Sequence, residues 1–332
     1  MHPLDLSIVI PCYRSGPWLD ELVEAIHQVL ASLPYRFEIV LVNDASPDGT
    51  WDAMKRLVQR YSCLRAIDLQ FNVGQYRATL CGIERARGHW IITMDDDFQH
   101  PPDQLPVLIE AIKNHPECDC IMARFRRKQH SLVRNLGSGL MRAIYVRFYR
   151  APRHVAPSSF RIMTSQFARI LCSHGTANPV LCPLIFQLTR RVANVEVQHA
   201  PRAYGKSGYR LGRLAGTVVD TLLRATTYPL HAVCLLGLLI AGGSLLFGVY
   251  RVIRYFVGPQ VLPGFTTLAV LVTFFGGMIL FAVGLVGEYL ARVIEEVRGQ
   301  PRYVVREELL PGQEPAATRL EEQSDSQAQP PP

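Results

Sequence analysis

Trp90-Ile91-Ile92-Thr93-Met94-Asp95-Asp96-Asp97-Phe98-Gln99 decides how the first part of the chain reads, because an apolar run turns without a break into three consecutive carboxylates. A short, β-branched apolar run bounded by polar residues is the signature of a buried strand. Three adjacent carboxylates repel one another unless positive charge sits among them. A hard divalent cation, held by one or two carboxylates and by the phosphate oxygens of a substrate, would supply it. A solvated acidic turn is the plainer reading, and the tripeptide alone does not choose between the two.

Four more runs of the same kind flank this one: Leu6–Ile10, Phe37–Val42, Leu64–Leu69 and Cys118–Ala123. Between the strands, Trp18–Ala31, Thr50–Tyr61, Gln75–Ala86 and Asp103–Asn114 repeat their apolar residues at helical spacing. The alternation predicts an α/β domain with a mostly parallel sheet covered by helices. Ligands on such sheets lie beyond the carboxyl ends of the strands. The polar residues fall there: Pro11-Cys12-Tyr13, Asn43-Asp44-Ala45-Ser46 and Asp95 to Asp97. Asp44 is placed to accept hydrogen bonds from a base or ribose, although Asp and Ser also simply cap turns. Asn72-Val73-Gly74 opens the third helix, where bare backbone N–H groups suit an anion.

After residue 200 the texture changes. His231–Phe256 is interrupted only by Arg251 and Arg254, and Phe265–Gly287 carries no charge. Each approaches or exceeds the roughly 20 apolar residues that cross a bilayer, so two transmembrane helices are expected, at 229–257 and 265–290. Arg251 and Arg254, near the end of the first span, are the only Lys or Arg between Arg224 and Arg292, whereas Arg202 to Arg224 precede the pair of spans and Arg292 to Arg306 follow it. That bias places both termini in the cytosol. Residues 1–6 have no basic stretch of the signal-peptide kind. The eight cysteines form no C-x-x-C pair and no zinc spacing, as expected of reduced thiols in a cytosolic domain.

The net charge of +7 comes without a base-reading helix or stacking aromatics, which argues against nucleic acid and for an anionic membrane surface. Segments 131–149 and 209–228 look amphipathic, with Arg134, Arg142, Arg147, Arg210, Arg213 and Arg224, and suit an ordinary protein surface or, near the spans, a membrane interface equally well. The expected organisation is an α/β domain over 1–208, a juxtamembrane helix over 209–228, the two spans, a cytosolic segment over 291–310 and a disordered tail over 311–332, rich in Pro, Glu, Gln and Ser.

Taken together, Ser7-Ile8-Val9-Ile10-Pro11-Cys12-Tyr13, Asn43-Asp44-Ala45-Ser46, Asn72-Val73-Gly74-Gln75 with Gly82, Asp95 to Gln99 before Pro101-Pro102, Ser158-Ser159-Phe160-Arg161 and Arg202-Ala203-Tyr204-Gly205-Lys206-Ser207 resemble the family-2 glycosyltransferases of GT-A fold. The resemblance is to the polyprenyl-phosphate branch, which includes dolichol-phosphate mannose synthases and bacterial undecaprenyl-phosphate sugar transferases. Gly287-Glu288-Tyr289 through Pro301-Arg302-Tyr303 are similar to the 4-deoxy-4-formamido-arabinose transferases. The resemblance implies a nucleotide-diphosphate sugar, with uridine as base, a polyprenyl-phosphate acceptor, and Mg²⁺ or Mn²⁺. It implies that Pro11, Tyr13, Val42 and Asp44 form the nucleotide pocket, with Asp95 and Asp96 near ribose and phosphate. Asp97 would hold the metal, with Asp95 and Gln99 close by, and Asp97, Arg161 and Arg202 would be catalytic. Arg124, Arg202 and Ser207 would meet phosphates, where a guanidinium fork pairs two oxygens at once. It further implies a bacterial inner-membrane protein that assembles as a homo-oligomer, tetrameric in relatives. Three positions depart from the family pattern: Arg14-Ser15 replaces Asn-Glu, Val155 or Ala156 stands in place of an acid, and Gly208 in place of a lysine.

Two other functions fit parts of the sequence. A processive polysaccharide synthase would carry Gln-x-x-Arg-Trp, which none of Trp18, Trp51 and Trp90 completes. A catalytically altered domain serving as a membrane scaffold or flippase partner would not need intact Asp95, Asp97, Arg161 and Arg202, although Glu288, near the end of the second span, is a residue type seldom idle there.

Overall fold

The computed structural model describes residues 4–125, 151–174, 180–198, 264–297 and 301–311, with isolated positions at 146–149 and between 230 and 253. Two compact units emerge, one made of residues 1–208 and 300–332, the other of 209–299.

The first unit is built on an eight-stranded sheet in the order β7-β5-β6-β4-β1-β2-β3-β8. Strands β1 (Leu4–Cys12), β2 (Phe37–Asn43), β3 (Leu64–Leu69) and β4 (Gly88–Thr93) alternate with helices α1 (Leu19–Ala31), α2 (Thr50–Arg60) and α3 (Gln75–Arg85). These four strands run parallel. Their side chains are buried on both faces, which is why each reads as a continuous apolar run rather than an alternating one. Helix α1 shows how the cover is made: Leu19, Leu22, Val23, Ile26 and Leu30 recur at three- and four-residue spacing and are all buried. Each such side chain withdrawn from water contributes about 2 kcal/mol.

Beyond β4 the chain makes α4 (Leu105–Asn114), β5 (Cys120–Phe125), β6 (Arg161–Thr164), α5 (Ser165–Ser173), α6 (Leu181–Leu188) and β7 (Val192–Val197). β6 is antiparallel to both β4 and β5, while β5 and β7 run parallel. The Thr164 hydroxyl caps α5 by accepting the Phe167 N–H at 3.2 Å. Finally β8 (Val305–Leu309) returns to the first unit and pairs antiparallel with β3 at the sheet edge. The sequence reading placed no strand there.

Gly82 accounts for one of the quoted motif positions. A Cβ there would lie 2.4 Å from Val9 Cγ1 and 3.1 Å from Val42 Cγ2, so α3 can sit this close to β1 and β2 only without a side chain.

In the second unit, α7 (Phe265–Val297) covers the expected second span, and its stretch Phe274–Ala291 is long and apolar enough to cross a membrane. It runs seven residues past the expected end at 290, where no Gly or Pro stands between Leu290 and Gly299. It is the one such helix among the described residues. Most of the first span (229–257), the amphipathic segments 131–149 and 209–228, and all but the first residue of the tail lie outside the described residues.

Candidate active site

Three loops leave the carboxyl ends of β1, β2 and β4 and surround a cleft of about 380 Å³, walled by Pro11, Tyr13, Asp44, Gln75 and the three aspartates. One residue in each loop is forced into the left-handed backbone region: Arg14 (φ 59°), Ala45 (φ 49°) and Phe98 (φ 59°). No other non-glycine among the described residues does this. Strain of this kind persists only where surrounding bonds over-determine it, and it concentrates at functional sites.

The three aspartates do three different jobs. Asp96 turns inward: its Oδ2 accepts the Tyr13 N–H at 3.3 Å and the Ser15 hydroxyl, and its carbonyl accepts Trp18 Nε1 at 2.7 Å. Burial pushes its carboxyl up to about 6, against the lowering effect of those two hydrogen bonds and with a further push from Asp95 and Asp97. Asp96 therefore fastens the first loop to the acidic turn. Ser15, one of the departures from the family pattern, is the residue it fastens.

Asp95 is held on all sides. Gln75 Nε2 donates to Oδ1 at 2.5 Å and the Ser159 hydroxyl to Oδ2 at 2.9 Å. The Asp95 N–H donates to His100 Nδ1 at 2.8 Å, and His100 Nε2 stands 3.7 Å from Oδ2. Since Nδ1 accepts, the neutral His100 ring carries its proton on Nε2. The ring is buried and nearly parallel to Phe125 and Phe160, with centroids 5.7 and 4.9 Å away. Replacing His100 by Phe should keep the ring stack but orphan the Asp95 N–H. A loss of about 1–3 kcal/mol of stability, together with a lower turnover, is the expected result of denaturant unfolding and activity measurements.

Asp97 lines the cleft, and its Oδ1 accepts the Gln99 N–H at 3.1 Å. Gln99 thus enters the turn through its backbone.

Asp44 corrects one reading of the sequence. Its two carboxylate oxygens accept the Val73 N–H at 2.7 Å and the Gly74 N–H at 2.9 Å, and Asn72 Nδ2 donates to its carbonyl at 3.0 Å. The amides expected to stand bare for a ligand anion already hold one, supplied by the neighbouring strand. Burial raises the Asp44 carboxyl and the two amides oppose the rise.

Other expected residues lie further off. Val42 is fully buried and packs beneath the site against α3, so its side chain lines none of the cleft. Arg161 is 2% exposed, which removes the surface ion-pair alternative. Its Nε donates to Thr93 Oγ1 at 3.1 Å and its Nη1 to Cys182 Sγ at 3.4 Å. It shares a small cavity with Asp95, Gln75 and Ser159, and so lies behind the acidic turn. Arg124 is exposed at the end of β5 and is not among the cleft walls. Arg202 and Ser207 lie outside the described residues. At the position of the missing acid, Val155 is buried and Ala156 is clamped by Asn194, which accepts its N–H at 2.6 Å and donates to its carbonyl at 3.0 Å.

Gln75, His100 and Ser159 had no assigned role in the sequence reading. Gln75 carried a signal, as the first residue after Gly74 (φ 86°) at the head of α3. Ser159 lies within the quoted Ser158-Ser159-Phe160-Arg161 motif but only the fold brings it beside Asp95, and His100 carried no signal.

Among the described residues no three His, Cys, Asp or Glu side chains converge as a ready-made metal cage. Carboxylates lining an open cleft fit a different kind of cation, one that keeps water and takes substrate phosphates as ligands.

Comparison with known proteins gives three results. The model of the family described as "Glycosyl transferase family 2" matches residues 7–172. The chain is 31% identical over 326 residues to the undecaprenyl-phosphate 4-deoxy-4-formamido-L-arabinose transferase of Aeromonas hydrophila, covering 94% of this chain and 97% of that one. It is 32% identical over 321 residues to the protein of the same name from Salmonella choleraesuis, covering 93% and 95%. Among solved structures, glucosyl-3-phosphoglycerate synthase from Mycobacterium tuberculosis, in complex with Mn²⁺, UDP and glucosyl-3-phosphoglycerate, superposes with a TM-score of 0.51 at 15% identity, over 67% of this chain and 80% of that one. Mannosyl-3-phosphoglycerate synthase from Rubrobacter xylanophilus gives 0.50 at 17% identity, over 67% and 73%. At such identities the structural likeness speaks for the GT-A fold alone.

Proposed function

The chain belongs to glycosyl transferase family 2, and from that premise we propose that it moves a sugar from a nucleoside diphosphate, UDP, to a polyprenyl phosphate, undecaprenyl phosphate, with inversion at the anomeric carbon. The observation that carries this reading is the cleft itself. Three strand ends deliver three strained loops to one place, and Asp97 lines the cleft there together with Asp44, Asp95 and Asp96. The acceptor class is supported by relatives named for it that match at 31 and 32% identity across nearly the whole chain.

Pro11, Tyr13 and Asp44 wall the nucleotide side, with Val42 beneath, and Asp95 and Asp96 set the acidic turn. Asp97 would hold a Mg²⁺ or Mn²⁺ ion together with the diphosphate, near Gln99; such an ion offsets the charge of the leaving diphosphate. Arg161 sets positive charge behind the turn, and Arg124, Arg202 and Ser207 are assigned to the phosphates of donor and acceptor. The apolar stretch in α7 supports a membrane protein. Two spans, a catalytic domain and both termini in the cytosol, residence in the bacterial inner membrane and tetrameric assembly complete the proposal.

UDP titration of the purified full chain tests it, with Mn²⁺, with Mg²⁺ and with EDTA. UDP is expected to bind at least about tenfold more tightly with a divalent ion present. Absent or metal-independent binding would refute the reading and favour a scaffold.

A further inference from the structure

We propose that Arg306, on the strand that follows the apolar helix, is a positioning residue for the nucleotide cleft, acting through Asp68 and Asn43. Asp68 sits in β3 with 1% of its surface exposed. Arg306 Nη1 reaches its Oδ2 at 3.2 Å, while Asn43 Nδ2 donates to its Oδ1 at 2.7 Å. Asn43 ends β2, and its own Oδ1 accepts the Ser46 N–H at 3.2 Å. The Ser46 hydroxyl in turn accepts the Arg14 N–H at 3.1 Å. A continuous set of bonds therefore runs from β8, through β3 and β2, to the loops that carry Ala45 and Arg14, two of the three strained residues of the site.

Two features show that the arrangement is specific to Arg306. The register of β3 and β8 pairs Asp68 with Glu307 and Leu69 with Val305, leaving Arg306 as the extra residue of an irregularity in the ladder. Bulges of this kind re-aim a side chain. Arg306 is also held in its new direction by Gln70, whose side-chain and main-chain oxygens accept from Nε at 3.3 Å and Nη2 at 3.0 Å.

The polarity of the Asn43 amide is what the relay controls. An ionised Asp68 only accepts, so Asn43 must present its NH₂ to Asp68 and its oxygen to Ser46. Without the guanidinium, Asp68 Oδ2 loses the partner that reaches it from β8, and a buried charged oxygen left so draws in water. Water drawn to Oδ2 would pull the carboxylate away from Asn43 Nδ2, and the amide whose Oδ1 holds the Ser46 N–H would lose its anchor. The turn around Ala45 would lose the bond that holds it.

The inference rests on reading the cleft as a nucleotide site, so its test includes a measurement that needs no nucleotide. In the full chain, Arg306→Gln is expected to speed amide hydrogen exchange across residues 43–49 about tenfold and to weaken UDP binding by a similar factor. The KM for polyprenyl phosphate should not change. Adding Asp68→Asn to Arg306→Gln should restore both, because the neutral amide introduced in β3 can still accept from Asn43 through its carbonyl. Glu308→Gln is the control. Glu308 pairs with Arg65 and Arg85, away from the cleft, so this variant should loosen β8 and leave residues 43–49 unchanged. Unchanged exchange at 43–49 in Arg306→Gln would overturn the relay, as would an equal effect from Glu308→Gln. UDP failing to bind the unmodified chain would count against the site reading, while the exchange data would still decide the relay.

Discussion

Asp97→Ala is expected to lower the transfer rate by about 10³-fold or more while the protein still folds. The two sides of this expectation come from different observations. Asp97 stands in the acidic turn beside two aspartates that hold the loops: Asp95 is bonded to Gln75, Ser159 and His100, and Asp96 to Tyr13 and Ser15. The bond from the Gln99 N–H to Asp97 is local, two residues apart, and its loss costs about 1 kcal/mol. The catalytic penalty is larger because a departing diphosphate concentrates negative charge where the turn is already negative. Turnover in saturating Mn²⁺ and thermal unfolding of the same preparation check both halves. Near-normal turnover would remove Asp97 from the metal site, whereas a collapsed unfolding temperature would make it structural.

A second large effect is expected on the acceptor side. Polyprenyl phosphate should be glycosylated at least about 10²-fold faster than the matching polyprenol. A hydroxyl acceptor must lose a proton as it attacks, whereas a phosphomonoester, with a second ionisation near pH ~6, arrives as a dianion at neutral pH. The chain then has no need of a general base and has to hold two negative groups together. This suits a site in which Val155 is buried and Ala156 is clamped by Asn194 at the place where the family pattern implies an acid. Attack opposite the diphosphate should also invert the anomeric centre. Comparable rates with the alcohol, or a product of retained configuration, would refute the scheme.

The parallel half of the fold was legible because fully buried strands cannot hide. β3 spans Leu64–Leu69 as read, and β1, β2 and β4 differ only by end residues. β5 was read two residues early, as Cys118–Ala123 against Cys120–Phe125, and the strands after it were not legible, for a physical reason. β6 opens on Arg161, a charged residue that reads as surface until the fold buries it against Thr93. β8 is Val-Arg-Glu-Glu-Leu, an edge strand whose charges find partners across the sheet and leave no apolar alternation to detect. At the site, the acidic turn and Asp44 stood out because they end apolar runs. Their supports did not, since Gln75, Ser159 and His100 converge on Asp95 from separate elements. Asp44 shows the limit most clearly: its identity was readable, but its two amide partners required knowing how close α3 begins to β2.

The edge position of β8 also sets the order in which this protein can be made. Residues 66 and 309 face each other across the last ladder of the sheet, so β3 stays an open edge throughout most of synthesis. An unpaired edge invites wrong partners, and contacts so distant in the chain form late. On the ribosome, α7 has to emerge before the strand that closes the sheet. The buried Asp68 carboxylate therefore waits for its guanidinium until the apolar helix has been made, and a nascent chain stalled before residue 306 would carry an unfinished cleft.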